Sequence, residues 1–270
     1  MASRAIKSER SLVDALVAEY HSKRSLIEQF RNQLVGALRD SPEMTPFVHS
    51  LKSRLKEPEH LRDKLFRKLA EDKKAKRPFE ITTDNLLRRA TDLVGVRILH
   101  LHTRQIRGID RALRSILNEQ QFALLEGPFA RTWDDESRQF MRECGIETQD
   151  SPSMYTSVHY VVSSASRTKI TAEIQVRTLM EEVWGEVDHA IKYPDKTPSL
   201  ACQEQLKVLA RATSTATRLV DAIFLTMDDD ERSKQASGRN VGANPRKRRV
   251  SRKKAPVAQE GSGSRHRRGR

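Results

Sequence analysis

The segment Lys169–Arg177 constrains the fold most, because its residues alternate strictly between polar and apolar side chains. Successive side chains of a β-strand point to opposite faces of the sheet, so this period predicts a strand with one buried face. The apolar positions are Ile170, Ala172, Ile174 and Val176, and the polar ones are Thr171, Glu173, Gln175 and Arg177. A strand with such a polar face is typical of the floor of a polar cleft.

A second predicted strand carries another acidic residue. Asp92 stands at the head of Leu93–Leu101, a nearly unbroken apolar run that is typical of a strand inside a sheet. Two strand-borne acids in one cleft, Asp92 and Glu173, suit Mg²⁺, which binds a few carboxylates together with phosphate oxygens. With basic residues nearby, the combination indicates phosphoryl or nucleotidyl transfer. The spacing leaves an alternative open, in which Asp92 caps an element and Glu173 is a solvated strand residue.

The remaining pattern predicts an α/β (α+β) fold in which helices flank a mixed sheet. One apolar stripe from Leu12 to Leu38 predicts a single long N-terminal helix, ended at Asp40–Pro42 because proline and its predecessor disfavour helix. Val158–Ser163 and Lys169–Arg177 predict an antiparallel hairpin. Further helices are expected near Leu61–Leu69, Ile106–Leu117, Leu179–Ile191 (before Pro194) and Leu200–Met227. Residues 122–152 show no clear pattern.

The positive charge of the chain is concentrated at its C-terminal end. Residues 231–270 contain 14 Lys and Arg against 2 Asp and Glu, a net charge of +12, whereas the whole chain has +14 and residues 1–230 therefore only +2. With almost no large apolar residues, residues 228–270 are expected to form a disordered basic tail. Such a polycation can hold RNA or ribosomes through counterion release, or serve only as a solubilising extension.

Cysteine content and hydropathy indicate the cellular compartment. Two cysteines, Cys144 and Cys202, are too few for a disulfide framework or a metal site and indicate buried thiols in a reducing environment. Neither a signal peptide nor an apolar run long enough to cross a bilayer is visible. We therefore expect a cytoplasmic protein with no membrane partner.

Four ordered segments resemble the synthetase domain of the RelA/SpoT family. They are Ser53–His60, Asp92–Arg97, Met154–His159 and Glu173–Thr178. Family members transfer pyrophosphate from ATP to the 3′-hydroxyl of GDP or GTP, and so make the alarmones ppGpp and pppGpp. The resemblance implies a nucleotidyltransferase-like core at residues 46–227, between an N-terminal helical segment at 1–45 and the basic tail at 228–270. It also implies synthesis without breakdown, because the family's hydrolase half is not found here.

The resemblance implies roles for individual residues as well. Asp92 and Glu173 match the catalytic acids; both are expected to bind Mg²⁺, and Glu173 to accept the proton of the attacking hydroxyl. The residues expected to bind ATP are Arg54, Lys56, Lys64 and Arg97. Those expected to bind the acceptor are Tyr155, whose ring would stack on guanine, and His159, Gln175 and Arg177. Regular alternation places Arg97 opposite Asp92, so a twist or bulge at Gly95 would be needed to bring both into one site.

The acceptor loop departs from the family pattern. The family usually has Asn-x-x-Gly-Tyr-Arg-Ser-Leu-His there, whereas this chain has Met154 in place of the glycine and Thr156 in place of the arginine. Since glycine permits backbone angles that methionine disfavours, we expect a different loop conformation, which leaves the identity of the acceptor open. His60 also stands where a serine is usual near the ATP site.

Three functional hypotheses follow. The first is a small, synthetase-only alarmone enzyme that uses ATP, Mg²⁺ and GDP or GTP. The second is pyrophosphate transfer to the 3′ end of tRNA, as in the toxin branch of the same family, which the altered loop and the basic tail favour. The third is a non-catalytic RNA- or ribosome-binding protein, against which the intact Asp92 and Glu173 argue. Related small synthetases often assemble as oligomers, so a homo-oligomer is a further expectation.

Overall fold

The structure of the chain, a computed structural model, describes residues 2–192 and 199–241. Within these ranges the chain forms eight α-helices, one six-stranded sheet and a short 3₁₀ turn at Thr103–Gln105. The helices are α1 (Ala2–Ser22), α2 (Arg24–Arg39), α3 (Pro58–Lys74), α4 (Leu86–Arg89), α5 (Ile106–Glu119), α6 (Asp135–Glu143), α7 (Leu179–Lys192) and α8 (Leu200–Val241). The strands are β1 (Ser50–Leu55), β2 (Val94–His100), β3 (Ala123–Thr132), β4 (Glu147–Asp150), β5 (Ser157–Ser163) and β6 (Thr171–Thr178).

The sheet is mixed, with the strand order β1-β2-β6-β5-β3-β4. β2 and β6 run parallel in its interior and β3 and β4 run parallel at one edge, whereas all other neighbours are antiparallel. The predicted hairpin is confirmed as β5 and β6. The α/β fold with a mixed sheet flanked by helices is likewise confirmed.

The alternation along β6 produces the two faces that the sequence predicts. The apolar face is buried in the main core through Ala172, Ile174 and Val176. Apolar residues of α1, α2, α3 and α5 belong to the same core. Glu173 and Gln175 remain partly exposed on the opposite face, and α7 packs against β2 and β6 there. The sheet therefore separates the hydrophobic core from the polar surface.

The prediction of one long N-terminal helix is wrong, because the helix is interrupted at Lys23. This residue has φ −101° and ψ 5°, and α2 starts at Arg24. Both pieces keep the predicted apolar stripe, since Leu16, Tyr20 and Ile27 are fully buried. The break lets α1 pack on α3 while α2 packs on β1, β2 and α5, which are partners in different directions.

The last helix is longer than predicted. α8 continues past Met227 to Val241, so the predicted helix end and the predicted disorder of residues 228–241 are wrong. The acidic residues at 228–230 do not end the helix, because aspartate in a helix interior costs only a few tenths of a kcal/mol, at most about 0.7. Residues 242–270 and Pro194 lie outside the described residues. By its internal contacts the chain divides into two units, Met1–Thr226 and Met227–Arg270.

Residues 122–152, which show no clear pattern in the sequence, form β3, α6 and β4. The pairing of β3 with β5 contains register shifts between Leu124 and Glu126 and between Glu126 and Phe129. Such irregularities interrupt the period of two, so the alternation that marks a regular strand is absent from the sequence.

Two expectations drawn from composition concern the thiols and the membrane. Cys144 and Cys202 are free, as predicted, but they are partly exposed rather than buried. Of the helices in the two described ranges, none has the length and apolar character needed to cross a membrane.

Candidate active site

Two parallel strands bring the predicted site residues to one face of the sheet. In the register of β2 and β6, Gly95 is opposite Glu173 and Arg97 is opposite Gln175. Partners across strands share a face, so Arg97 lies on the side of Glu173. Asp92 lies in the turn before β2 rather than in the strand. Strand alternation therefore does not apply to Asp92, and the predicted twist or bulge at Gly95 is not needed.

A cavity of about 470 Å³ opens over this face, and we call it the first cavity. Its lining residues are Lys52, Ser53, Arg54, Leu55, Lys56, Glu57, His60, Asp92, Gly95, Val96, Arg97, Glu173, Gln175 and Glu186. Both predicted catalytic acids are among them, and so are three of the four residues predicted to bind ATP. The fourth, Lys64, reaches Asp92 from α3.

Asp92 is held between two lysines. Lys56 Nζ lies 2.8 Å from its Oδ2 and Lys64 Nζ lies 2.8 Å from its Oδ1. Because Lys56 precedes α3 and Lys64 lies within it, the two need not share a helical face. Burial alone would raise the pKa of Asp92, but Lys64 and Lys56 outweigh burial and hold the pKa below its ordinary value. Asp92 is therefore ionised at neutral pH.

Glu173 is held by its neighbours on the sheet. Its Oε1 lies 2.9 Å from His159 Nδ1, and its Oε2 accepts a hydrogen bond from Gln175 Nε2 at 3.1 Å. Burial raises the pKa of Glu173 and the charge of Asp92 raises it further, but the contact with His159 and the bond from Gln175 lower it below its ordinary value overall. Glu173 is therefore also ionised at neutral pH.

These two carboxylates fit a Mg²⁺ site. Both are ionised and both line the first cavity. They lie close enough together for the charge of Asp92 to raise the pKa of Glu173. In the described part of the chain, no third His, Cys, Asp or Glu joins them in a metal-binding cluster. A Mg²⁺ ion held by Asp92 and Glu173 would complete its coordination with phosphate oxygens and water, as this ion prefers.

A carboxylate of α7 forms ion pairs with basic side chains of three strands. Glu182 Oε1 lies 2.8 Å from Lys52 Nζ of β1 and 3.2 Å from Arg97 Nη1 of β2, and Glu182 Oε2 contacts Arg177 of β6. Burial raises the pKa of Glu182, but these three cations lower it below its ordinary value. Arg97 also contacts Glu186, one turn further along α7. The carboxylates of α7 thus neutralise cations beside the first cavity.

A second cavity, of about 340 Å³, adjoins the first. Its lining residues are Arg97, Ser153, Tyr155, Gln175, Arg177, Trp184, Gly185, Asp188, His189 and Lys192. Arg97 and Gln175 line both cavities. Tyr155 donates a hydrogen bond to Gln175 Oε1 at 3.1 Å, and the Arg177 guanidinium lies 5.6 Å from the centre of its ring. Three of the four residues predicted to bind the acceptor therefore meet here.

The fourth, His159, is adjacent to this group, because its ring packs edge-on against the Tyr155 ring at 5.9 Å between centroids. Its side chain is 2% exposed, its ring stacks on Phe129 at 5.3 Å between centroids, and its Nδ1 contacts Glu173. It lines neither the first nor the second cavity. His159 is thus buried in contact with both Glu173 and Tyr155, on the same face of the sheet, and its binding of an acceptor stays a prediction.

The loop before Tyr155 has a backbone conformation that glycine adopts more readily than methionine does. Met154 has φ +61°, in the left-handed region, and the expected difference from the loop of other family members stays a prediction. The turn is fixed by Met154 N donating to the Ser151 carbonyl at 2.9 Å and Tyr155 N donating to Ser151 Oγ at 3.1 Å. Methionine adopts these angles at a cost of about 1–2 kcal/mol, which the turn must offset.

Comparison with known proteins identifies the family of the chain. A family model described as the region found in RelA/SpoT proteins matches residues 53–198, more than half of the chain. The chain belongs to the RelA/SpoT family. No curated protein sequence matches it.

Solved structures share the fold of this RelA/SpoT protein. The small alarmone synthetase 1 from Bacillus subtilis superposes with a TM-score of 0.50 and 18% identity, covering 83% of this chain and 98% of that one. A GTP pyrophosphokinase family protein from Streptococcus pneumoniae also gives a TM-score of 0.50 and 18% identity, covering 78% of this chain and 93% of that one. At this identity the likeness concerns the fold alone.

Sequence reasoning missed two acidic residues of this RelA/SpoT protein, Glu182 and Glu186. Their only signal is a spacing of four residues on a predicted helix, which places them on one helical face. That spacing is common on solvated helices. The contacts with Lys52, Arg97 and Arg177 depend on how α7 packs across the sheet, so they are visible only in the structure.

Proposed function

We propose that this protein transfers pyrophosphate from ATP to the 3′-hydroxyl of GDP or GTP and so makes (p)ppGpp. The observation that carries the proposal is the pair of adjoining cavities on the face of β2 and β6. Arg97 and Gln175 belong to both, and an ionised Glu173 stands next to their shared wall. Two nucleotides bound side by side would present their reacting groups to Glu173.

The first cavity suits ATP. Arg54, Lys56 and Arg97 supply positive charge along one wall, and Lys64 adds a further ammonium group beside Asp92. Phosphoryl transfer depends mainly on positioning and on neutralising charge in the transition state. A bound Mg²⁺ would supply part of that neutralisation. When phosphates arrive, Lys56 and Lys64 can turn from Asp92 to phosphate oxygens, which leaves Asp92 to the metal.

The second cavity suits the acceptor nucleotide. Tyr155 offers an aromatic ring for stacking on a base. Arg177, His189 and Lys192 provide donors and positive charge for phosphates or polar groups of the acceptor. Since Gln175 contacts both Tyr155 and Glu173, it connects the acceptor pocket with the proposed base.

The proposed reaction makes one bond and breaks one. The 3′-oxygen of the acceptor attacks the β-phosphorus of ATP, the bond from that phosphorus to the α,β-bridging oxygen breaks, and AMP leaves. Glu173 takes the proton from the attacking hydroxyl. His159 acts as a positioning residue, because its contact with Oε1 holds the carboxylate in place and keeps it ionised.

A transfer assay tests this proposal. Purified protein, Mg²⁺ and ATP labelled in the β- and γ-phosphates would be offered GDP, GTP, GMP, ATP and deacylated tRNA in parallel. We expect label on a guanine nucleotide, loss of transfer after chelation of Mg²⁺, and a loss of several orders of magnitude in Glu173→Gln and in Asp92→Asn. Glu147→Gln, which removes an exposed strand acid on β4, should retain activity. Turnover retained in Glu173→Gln would contradict the site assignment.

Transfer to the 3′ end of tRNA is a second candidate function. The net charge of +12 over residues 231–270 favours an RNA substrate, and Met154 changes the residue next to Tyr155. In the same assay, label on tRNA alone would select this function, and no transfer to any acceptor would favour a non-catalytic RNA- or ribosome-binding protein. The homo-oligomer and the cytoplasmic location remain predictions of the sequence.

A further inference from the structure

A third cavity lies on the other side of the acceptor loop, with a volume of about 190 Å³. It is lined by residues of the 3₁₀ turn, the β3–α6 connection, α6, the acceptor loop, α7 and α8. Of its lining residues within the described part of the chain, only Trp184 also lines one of the two proposed nucleotide cavities. The proposed transfer reaction therefore does not account for this cavity.

The walls of the third cavity combine aromatic rings with excess negative charge. Trp133, Phe140 and Trp184 provide the rings. Among the lining residues that the structure describes, the one cationic side chain is Arg218, and it contacts the carboxylates of Asp134 and Glu136. Asp221 then remains as negative charge that no described lining cation offsets, and Glu181 adds a second negative charge above about pH 7, because burial raises its pKa to about 7.

The polar groups of the cavity are mainly hydrogen-bond acceptors. Thr213 and Thr217 donate their hydroxyl protons to backbone carbonyls of α8 at 3.0 Å, and Ser214 donates to Asp134 Oδ2 at 3.0 Å. The Ser214 oxygen also accepts from Arg218 Nη2 at 3.3 Å, whereas the oxygen lone pairs of Thr213 and Thr217 are left to face an occupant. A hydroxyl whose proton is already used can only accept, so this wall favours a molecule rich in donors.

The two unmatched carboxylates add acceptors to the same cavity. One oxygen of Asp221 accepts from the Thr103 backbone N–H at 2.7 Å, and one oxygen of Glu181 accepts from the Thr178 N–H at 2.7 Å. The second bond closes a capping box at the start of α7, which gives Glu181 a structural role. That role uses one of its two oxygens.

We propose that the third cavity binds a small organic cation, of the class of short alkyl diamines or alkyl guanidines. An ammonium or guanidinium group has hydrogen-bond donors and no acceptor. Its positive charge would neutralise the carboxylates of Glu181 and Asp221, and it is attracted to the faces of aromatic rings. An alkyl stem fits against Trp133 and Phe140. The guanidinium of Arg218 is already paired with Asp134 and Glu136, which disfavours an anion in this cavity.

A molecule bound in this cavity would contact the acceptor loop. Met154 and Thr156 line it, and Tyr155 between them lines the second cavity. The Trp184 ring, which borders both cavities, lies 6.2 Å from the Tyr155 ring between centroids. The bound cation would thus touch the residues on both sides of the proposed base-stacking tyrosine. The binding itself does not depend on the proposed transfer reaction.

Tryptophan fluorescence measures this binding without any nucleotide, because the two tryptophans of the chain, Trp133 and Trp184, both line the cavity. The full chain would be titrated with 1,4-diaminobutane at constant ionic strength and above neutral pH. 1,4-Butanediol, which has the same chain without charge, and succinate, an anion, serve as ligand controls. We expect a saturable change in emission with the diamine and with neither control.

Matched variants connect the signal to the cavity. Glu181→Gln and Asp221→Asn each keep an oxygen for the backbone N–H they accept, so both should fold, and each should weaken binding by about tenfold or more. Ala210→Leu should abolish binding by filling the space from α8. Glu204→Gln, which removes an exposed acid of the same helix, should bind as the parent does.

No saturable change with the diamine, an equal change with the diol, or unaltered affinity in both Glu181→Gln and Asp221→Asn would overturn the proposal. Thermal unfolding of each variant confirms that a lost signal reflects the cavity rather than the fold. Because no ATP or acceptor is present, failure of this test leaves the transfer reaction untouched, and the reverse also holds.

Discussion

His159 is a buried neighbour of Glu173 on the same face of the sheet. Its contact with Oε1 lowers the pKa of Glu173, so His159→Phe should let burial and Asp92 raise that pKa. The acid limb of the pH profile of kcat/KM should then move to higher pH, and activity at neutral pH should fall about ten- to a hundredfold, as for other residues that orient a catalytic ligand.

The control for this variant is Phe129→Leu, which alters the ring stacked on His159 but leaves the contact with Glu173. Its acid limb should stay where it is in the parent protein. An unmoved acid limb in His159→Phe would show that the histidine only packs against the acid.

Substitutions of Met154 measure how much free energy of unfolding the left-handed backbone of the acceptor loop costs. At φ +61°, glycine has no Cβ to clash, whereas a β-branched residue suffers more than methionine does. We expect Met154→Gly to keep the free energy of unfolding within about 1 kcal/mol of the parent or to raise it, and Met154→Val to lower it by about 1–2 kcal/mol. Urea denaturation measures both, and equal stabilities would contradict the assigned conformation.

Glu181 and His100 make the free energy of unfolding depend on pH in opposite directions. Burial raises the pKa of Glu181 to about 7, despite the bonds from Thr178 and the charge of Arg177, and Asp221 adds to the increase. Its stabilising contribution is complete below its ordinary pKa of 4.5 and is lost as the pH rises through about 7. Burial lowers the pKa of His100 to about 4, so its contribution is present above 6.5 and is lost as the pH falls.

Between pH 4.5 and 6.5 these two contributions offset one another. Glu181→Gln removes one of them, so the melting temperature of the variant should fall more steeply than that of the parent as the pH decreases through this window. Thermal unfolding at a series of pH values measures the two slopes. Parallel slopes would mean that Glu181 does not titrate in the folded protein near neutral pH.

At the scale of elements, α7 is held on the sheet by the charge of Glu182. Its side chain is 7% exposed and Arg177, which it contacts, is 2% exposed, so Glu182→Gln would leave a buried cation without its counter-charge. We expect a loss of about 3 kcal/mol in the free energy of unfolding, together with a raised KM for the acceptor as Arg177 shifts beneath Tyr155.

Glu186→Gln is the matched control on the same face of α7. Glu186 contacts Arg97 but its side chain is half exposed, so its removal should cost less than about 1 kcal/mol. Equal losses in the two variants, measured by denaturant unfolding, would show that Glu182 is no more than a surface ion pair.

The elements that the sequence predicts are those whose pattern depends on local geometry. The alternation of β6 identifies the strand, its buried face and the position of Glu173, because a period of two follows from the backbone alone. The break at Lys23 leaves no such trace, since the apolar stripe continues across it. Likewise β3 is hidden by its register shifts, and the role of Glu182 depends on contacts between residues far apart in the chain.

At the scale of the whole molecule, charge is divided unevenly along the chain. Residues 1–230 carry +2 and residues 231–270 carry +12, so most of the net charge that favours nucleic acid lies in the C-terminal segment. Binding to phosphates through such a segment releases counterions and weakens steeply as salt increases. In the proposed catalytic cavities, in contrast, Lys56, Arg97 and Arg177 are in ion pairs with Asp92, Glu182 or Glu186.

Deleting residues 231–270 should therefore separate two activities. Transfer to free GDP or GTP should be retained, because no residue of either cavity is removed. Binding of the full chain to tRNA should fall by several orders of magnitude between about 50 and 200 mM salt if six or more phosphates are contacted, whereas the truncated chain should bind weakly at all salt concentrations. Filter binding and the transfer assay, run on both chains, measure the two properties. Transfer to tRNA that survives the deletion at moderate salt would place the RNA contact on residues 1–230, and loss of transfer to free nucleotides would show that the segment contributes to the site itself.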